Sequence, residues 1–373
     1  MTASRFIQYN ATILKRPENI VLPGMATFTY FGPLFKPGIV PIDRTGTIRT
    51  PIRTAVVFPI PELRPFKKTF EEICNERARD LLSRAKALDT RIYVFWSGGI
   101  DSTLVLISLL KEASTQEKKR ITVLLTDESI AENPRFYADH IAGKLDRAST
   151  MMYPYLFGED CITVSGEQND QVFGSGAVGR LMRRFGEEII HRPYERDVLF
   201  TFFNEIAKDA GITNLYLDLF DKLMSASPVP IRSYLAYVWW INFSLKWQNT
   251  FMRILTCVPE RNASAVTWEY VNTRYFSFYG TDDFQLWSMH NLDKRIKDTW
   301  NSYKWPCKDI IYAYTKDADY RDGKTKRGSL RNVVRQQIYF DFIDESMRFY
   351  KHLEPSVYYE PDNDFILSHQ RAS

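Results

Sequence analysis

Short apolar runs alternate with amphipathic segments in the first half of the chain. Apolar residues fill Ile92 to Trp96 and Ile121 to Leu125, and a shorter run, Ile162 to Val164, comes later. Runs of this length without polar alternation are typical of strands that are covered on both faces. The segments between these runs carry apolar residues at helical spacing, and so does the segment 66–88 before the first run. The order of strand, helix and strand predicts an α/β fold with a parallel sheet.

The rest of the chain differs from this core in composition. Residues 1–65 hold half of the 18 prolines. Because proline is restricted to turns and strand edges, we expect a small proline-rich β segment there. From residue 176 onward the periodicity is mostly helical, up to a last helix over 329–353. The sequence therefore predicts four parts: the proline-rich segment 1–65, an α/β core 66–190, a largely helical part 191–353 and an irregular tail 354–373.

Charge and cysteine content narrow the function classes. The chain of 373 residues has 49 Lys+Arg against 45 Asp+Glu, a balance that does not indicate a nucleic-acid or membrane-surface partner. The four cysteines lie far apart and form no zinc-binding or disulfide pattern, so we expect a cytoplasmic protein. The N-terminus does not resemble a signal peptide, and the apolar stretch Leu235 to Leu245 is too short to cross a bilayer.

The strongest chemical signal follows the first apolar run. The segment Ser97 to Thr103 reads SGGIDST and stands between a predicted strand and a predicted helix. Glycines allow the backbone to approach a ligand closely, and the N–H groups at a helix start favour phosphate. A carboxylate at Asp101 suits such a site if it holds Mg²⁺ that bridges phosphate oxygens. The residues expected to contact the nucleotide are Ser97, Gly98, Gly99, Asp101, Ser102 and Thr103.

A second polar segment follows the third apolar run. It extends from Val164 to Ser175, reads VSGEQNDQVFGS, and carries a carboxylate at Asp170. Two carboxylates from neighbouring strand ends can share one divalent cation. We therefore expect Asp101 and Asp170 to form a Mg²⁺ site. The simpler interpretation of both segments is that they are turns whose polar residues cap helices.

These two segments resemble motifs of one enzyme superfamily. SGGIDS is similar to the pyrophosphate loop of the N-type ATP pyrophosphatases, which cleave ATP to AMP and pyrophosphate while adenylating a substrate. The second segment resembles SGEGxDExFGG of the asparagine synthetases, and it departs from that pattern at Gln168, Gln171 and Ser175. The resemblance covers about 66–330 and implies an adenine nucleotide alpha hydrolase-like, Rossmann-like domain without the glutaminase domain, for which residues 1–65 are too short.

The resemblance also implies roles for individual residues. Asp101 and Asp170 would hold Mg²⁺ with pyrophosphate, and the Gly166 backbone would lie near the nucleotide. Glu167 would face the acyl-adenylate as a base or a positioning group. The end of the second strand, at Leu125, would contact adenosine. ATP and Mg²⁺ are the cofactors expected on this basis.

A basic loop near the end of the resemblance offers a cation for the phosphates. Lys308 together with residues 320–329, YRDGKTKRGS, resembles the family pattern K…R-x-K-x-G, and the weaker stretch 270–283 resembles E-x-R-x-P-F-x-D. One lysine of the loop would stabilise charge that develops during adenylation. Lys326 is favoured because a glycine follows two residues later, and Lys324 is the alternative. A solvated basic loop is the simpler interpretation.

Together these observations predict an ATP-dependent carbon–nitrogen ligase of the asparagine synthetase type. A carboxylate substrate would be adenylated, and ammonia or an amine would displace AMP; a separate amidotransferase subunit is one candidate source of the ammonia. Two alternatives stay open at this point. The same site would also serve to adenylate a nucleobase or nucleoside, and the changes at Gln168 and Gln171 suit an ATP-binding protein with a degenerate active site.

Overall fold

The computed structural model describes residues 41–48, 51–255, 258–325, 339–341, 348–350 and 359–360. Lys326, residues 1–40 and nearly all of the predicted tail 354–373 lie outside these residues. Within 41–48 and 51–65 the chain forms turns, and Ile52 makes an isolated antiparallel bridge with Tyr359. This part of the predicted proline-rich β segment therefore contains bridge positions rather than a strand of several residues.

The described residues form seven strands and fifteen α-helices. The strands are β1 Arg91–Phe95, β2 Ile121–Leu125, β3 Asp146–Ser149, β4 Cys161–Ser165, β5 Tyr275–Ser277, β6 Tyr339–Asp341 and β7 Arg348–Tyr350. The α-helices are α1 Phe70–Ala87, α2 Ile100–Glu112, α3 Thr115–Lys118, α4 Asp127–Glu132, α5 Pro134–Phe136, α6 Tyr153–Leu156, α7 Asn169–Phe173, α8 Gly176–Phe185, α9 Arg196–Ala207, α10 Ala210–Ser225, α11 Tyr234–Met252, α12 Trp268–Arg274, α13 Asp282–His290, α14 Trp305–Thr315 and α15 Ala318–Gly323.

The chain divides into two compact units, each built from separate stretches of sequence. The sheet unit consists of Pro61–Phe173 and Cys257–Arg335, and the helical unit consists of Met1–Ile60, Gly174–Thr256 and Gln336–Ser373. The sheet unit contains β1 to β5. The motifs singled out in the sequence belong to the sheet unit, except that the last two residues of the second segment, Gly174 and Ser175, belong to the helical unit.

The sheet unit is built on five parallel strands in the order β3-β2-β1-β4-β5. Val94 at the centre of β1 pairs with Val123 of β2 and Val164 of β4, and all three side chains are fully buried. The predicted α/β fold with a parallel sheet is thereby confirmed. β2 and β3 lie on one side of β1, and β4 and β5 lie on the other side, so the strand order reverses between β1 and β4. In open α/β sheets, ligands bind at such a reversal, beyond the carboxyl ends of the strands.

Two strands of the sheet were not predicted, because neither has an apolar run of sufficient length. The edge strand β3 reads Asp-Arg-Ala-Ser and is largely exposed, so its sequence is typical of a loop. The opposite edge strand, β5, has only three residues. Both strands form by pairing with a preformed neighbour, which is a tertiary effect that local sequence does not encode.

The helix predicted over 329–353 is wrong where the structure describes this segment. β6 and β7 pair there in antiparallel register, with Phe340 opposite Phe349 and Asp341 opposite Arg348. Aromatic residues favour extended structure when a partner strand is present. At these positions the segment forms an antiparallel strand pair rather than a helix.

The helical unit contains the Trp- and Tyr-rich helix α11. Nearly every residue of α11 is buried, including Trp239, Trp240 and Trp247, so α11 is a core helix. Among the residues that the structure describes, no helix is long and apolar enough to cross a membrane.

Candidate functional site

Loops that follow β1 and β4 lie side by side at the reversal of strand order. The first loop leaves β1 and enters α2 through Gly98 and Gly99. The second leaves β4 and enters α7 through Gly166 and Glu167. Since β1 and β4 are neighbours in the sheet, their carboxyl ends bring the two predicted motifs together.

Glycine is required at the start of the first loop. Gly98 has a φ of +74°, and a Cβ there would lie 2.4 Å from the carbonyl oxygen of Ser129. The loop is closed by its own hydroxyls, because the Ser97 N–H donates to Ser102 Oγ at 3.0 Å. Gly99 is the N-cap of α2 and supplies no side-chain cap. The first N–H groups of a helix of 13 residues therefore start directly after the loop.

Gly166 allows the second loop to approach the first. A Cβ at Gly166 would lie 3.1 Å from the backbone nitrogen of Ser102 and 3.2 Å from the carbonyl carbon of Asp101. These separations are tighter than ordinary van der Waals contact, so any side chain at this position pushes the loops apart. The proximity of the two motifs thus depends on the missing Cβ.

A buried lysine joins the two predicted metal carboxylates. Lys304 Nζ lies 2.5 Å from Asp101 Oδ1 and 2.8 Å from Asp170 Oδ1. Asn169 Nδ2 donates to the same oxygen of Asp101 at 2.6 Å. The Lys304 side chain is only 2% exposed, whereas those of Asp101 and Asp170 are 29% and 32% exposed. The structure therefore brings Asp101 and Asp170 together, with a cation on their protein side and solvent on the other.

The protein environment keeps Lys304 charged. Burial alone would lower the pKa of Lys304, but the negative charge of Asp101 and its hydrogen bond to the ammonium raise that pKa above its usual value. The lysine backbone is also fixed, because its N–H donates to the Arg295 carbonyl at 2.9 Å. Its φ of 61° is left-handed, which is uncommon outside glycine.

Two buried tyrosines hold the first loop from behind. The Tyr279 hydroxyl donates to the Asp101 carbonyl oxygen at 2.9 Å, and the Tyr320 hydroxyl donates to the Gly98 carbonyl oxygen at 3.2 Å. Burial raises the pKa of both phenols, so both stay protonated donors. Because these bonds engage carbonyl groups, the loop can keep its N–H groups directed elsewhere.

Lys324 reaches the first loop through a carboxylate. Its Nζ lies 2.7 Å from Glu132 Oε1, and the side chains are only 9% and 17% exposed. The same Glu132 oxygen is 3.5 Å from the position that a Cβ of Gly99 would occupy. The structure thus places Lys324, the alternative lysine of the basic loop, beside the glycines. Lys326, the favoured lysine, lies outside the described residues.

Three further predicted residues, Thr103, Glu167 and Leu125, are not part of the ion pairs described above. Thr103 is fully buried, and its hydroxyl accepts a hydrogen bond from Trp96 Nε1 at 3.1 Å, so it lies in the core beneath the loop. Glu167 is partly exposed, and its carbonyl oxygen accepts a bond from Ser277 Oγ at 2.8 Å. Leu125 is the partly exposed last residue of β2.

Two of the three departures from the resembled motif, Gln168 and Gln171, point inward, whereas Ser175 is partly exposed. Gln168 is 1% exposed and Gln171 is 2% exposed, so neither side chain faces the solvent side of the carboxylates. Gln168 adopts a φ of +70° at the position where the motif has glycine, so the backbone keeps the conformation that glycine favours. Gly280 makes room for the longer side chain, since a Cβ there would lie 2.7 Å from Gln168 Oε1.

Sequence reasoning missed Lys304, Asn169 and both tyrosines. Lys304 lies between Tyr303 and Trp305 in an aromatic stretch that matches no phosphate or metal motif. The only available signal was a single charge among residues suited to a core. Asn169 stands inside the second motif, and its position next to Asp170 was available as a signal.

The donor set fits a divalent cation held jointly by protein and ligand. Mg²⁺ usually binds one or two carboxylates and completes its coordination with phosphates and water. Asp101 and Asp170 supply two partly exposed carboxylates that share one cationic neighbour. Among the described residues, no group of three or more His, Cys, Asp or Glu side chains is placed to hold a metal ion.

Comparison with known proteins does not assign a family: no family model and no curated protein matches this sequence. The class that fold and geometry define is an α/β protein with a five-stranded parallel sheet and a charged site at its strand-order reversal.

Replacement of Gly166 by Ala should destabilise the sheet unit by about 1–3 kcal/mol, because the new methyl group must displace the backbone of Asp101 and Ser102. Gly323→Ala is the matched control, since nothing lies within 4 Å of its added methyl group. Urea denaturation checks both variants. Equal stability of Gly166→Ala and the control would contradict the close approach of the loops.

Lys308 of α14 should make stability depend on pH. Burial lowers the pKa of Lys308 to about 8, so between pH 8 and the usual lysine value the folded state binds fewer protons than the unfolded state. Stability should therefore rise with pH across this window. Lys308→Met removes the penalty, and should stabilise the protein by about 1 kcal/mol at pH 7 and by less at pH 9.5. Urea denaturation at both pH values tests this, and an unchanged difference would refute it.

Proposed function

We propose that the sheet unit binds Mg·ATP beyond the carboxyl ends of β1 and β4 and uses it to adenylate a carboxylate substrate. The protein would then be an ATP-dependent carbon–nitrogen ligase of the asparagine synthetase type, with an adenine nucleotide alpha hydrolase-like sheet unit. The observation that carries the proposal is the meeting of Asp101 and Asp170 at one buried lysine, directly beside a glycine loop that starts a helix.

The charges of the site favour a polyphosphate accompanied by metal. The N–H groups at the start of α2 and the ammonium groups of Lys304 and Lys324 attract anions. The carboxylates of Asp101 and Asp170 repel them, and so does the carboxylate of Glu132, which pairs with Lys324 at 2.7 Å. Mg²⁺ held by Asp101 and Asp170 would neutralise phosphate charge and reverse the repulsion by these two carboxylates. An anion without metal would be attracted by the N–H and ammonium groups but repelled by the carboxylates. A metal ion without an anion would be attracted by the carboxylates but repelled by the ammonium groups.

Adenylation suits this arrangement because its demands are mostly positional and electrostatic. Negative charge grows on the pyrophosphate leaving group, and fixed cations and N–H donors stabilise it. Lys304 and Lys324 supply cations from different segments, and the loop of Ser97 to Ser102 supplies donors. Glu167 is the partly exposed carboxylate of the second loop, and its proposed role is to position or deprotonate the attacking amine.

The buried glutamines bear on the degenerate alternative. A retired active site loses groups that face its ligand, but the changed positions Gln168 and Gln171 face the interior. The carboxylates and lysines keep their mutual contacts. These observations support a working nucleotide site and leave the acceptor as carboxylate or nucleobase to be decided by experiment.

Asp101→Asn should weaken binding of Mg·ATP by about tenfold or more, since the variant loses a charge that would hold the metal. Asp127→Asn is the matched control, because Asp127 is an exposed carboxylate just after the neighbouring strand β2. Isothermal titration gives the affinities. Equal affinity of wild type and Asp101→Asn would exclude the proposed metal site.

The same variants test the reaction. Wild type incubated with Mg²⁺, α-³²P-labelled ATP, ammonia and a small-metabolite extract should release labelled AMP, and Asp101→Asn should not. Fractions of the extract then separate a carboxylate acceptor from a nucleoside acceptor. Labelled ADP in place of AMP would overturn the adenylation proposal, and ATP binding without turnover would favour the degenerate alternative.

A further inference from the structure

Lys304 is buried against a pair of carboxylates whose side chains are partly exposed to solvent. Its ammonium contacts one oxygen of Asp101 and one of Asp170. The lysine side chain is nearly inaccessible, while the side chains of Asp101 and Asp170 are 29% and 32% exposed. A soluble cation that approaches Asp101 and Asp170 from solvent therefore meets carboxylates that already share a positive charge.

We infer that Lys304 is an internal counter-cation that holds the two carboxylates together before the ligand arrives and discourages metal from binding without phosphate. The inference deepens the proposed function and rests on it. Two carboxylates drawn to one site repel each other unless a positive charge lies between them. In the described structure that charge is the ammonium of Lys304, which lies 2.5 Å from Asp101 Oδ1 and 2.8 Å from Asp170 Oδ1.

The surroundings of Lys304 hold its ammonium group beside the carboxylates. Its backbone N–H is bonded to Arg295, its side chain is buried, and the Asp101 oxygen that it contacts is also bonded to Asn169. A divalent cation arriving alone would add two positive charges beside a fixed third. A cation arriving with a polyphosphate brings compensating negative charge, and the ammonium then faces an anion across the carboxylates.

Metal and phosphate should therefore bind cooperatively, and the lysine should set the strength of the coupling. Coupling between two ligands is reciprocal, so weak binding of free metal and strong binding of the metal–phosphate complex have one cause. A merely structural role for Lys304 would change the stability of the fold and leave the ratio of these affinities unaltered.

The test uses the full chain with Mn²⁺ and inorganic pyrophosphate as probes. Electron paramagnetic resonance measures free Mn²⁺ and so gives its affinity with and without pyrophosphate. Lys304→Met should bind Mn²⁺ alone about tenfold more tightly than wild type and should gain less from pyrophosphate. Lys304→Arg keeps the charge and should retain the wild-type preference. Lys308→Met, one helical turn further on, is the control for loss of a buried lysine.

The outcomes separate the inference from the proposed function. If wild type binds Mn²⁺ with pyrophosphate but Lys304→Met gains no affinity for free Mn²⁺, the inference is wrong and the nucleotide site stands. If neither protein binds Mn²⁺ under any condition, the proposed function fails and the inference fails with it. Should Lys304→Met not fold, Lys304→Gln is measured in its place, and Mn²⁺ alone should raise its melting temperature more than that of wild type.

Discussion

The close approach of two loops at the reversal of strand order is the constraint on which the site depends. Parallel strands β1 and β4 set the loops next to each other, but neighbouring strands alone do not bring side chains into contact with one ammonium group. Gly166 provides the remaining closeness, since its missing Cβ lets the second loop lie against the backbone of Asp101. This contact sets Asp101 next to the second loop, where both carboxylates reach the ammonium of Lys304.

The sequence determined the parts of the fold that local patterns encode. Apolar runs located β1, β2 and β4 because these strands are buried on both faces, and the polar segments after them located Asp101 and Asp170. The edge strands β3 and β5 escaped prediction because they depend on a neighbour. The helix predicted over 329–353 failed for a related reason: apolar spacing in an aromatic segment fits a strand pair equally well when the partner is nearby in sequence.

The site was predictable only to the extent that it lies at strand ends. Both carboxylates could be placed at one edge of the sheet by topology. Lys304 arrives from a segment more than a hundred residues later, and its partners appear only when that segment packs against the first loop. Tyr279 and Tyr320 likewise come from distant segments and contact the first loop only when these segments pack against it. The aromatic content of 14% does not tell whether an aromatic residue packs in the core or supports a site. Tyr279 and Tyr320 do both, because they are buried and donate hydrogen bonds to the first loop.

One amide connects the site to a thiol. Asn169 Nδ2 contacts Asp101 and also lies 3.6 Å from Cys307 Sγ, and burial raises the pKa of Cys307 to about 12. The thiol is therefore protonated and inaccessible while the sheet unit is closed. The rate at which Cys307 is alkylated would report how often this part of the protein opens. Cys307 is therefore a native probe of local opening, and only the side-chain amide of Asn169 separates it from Asp101.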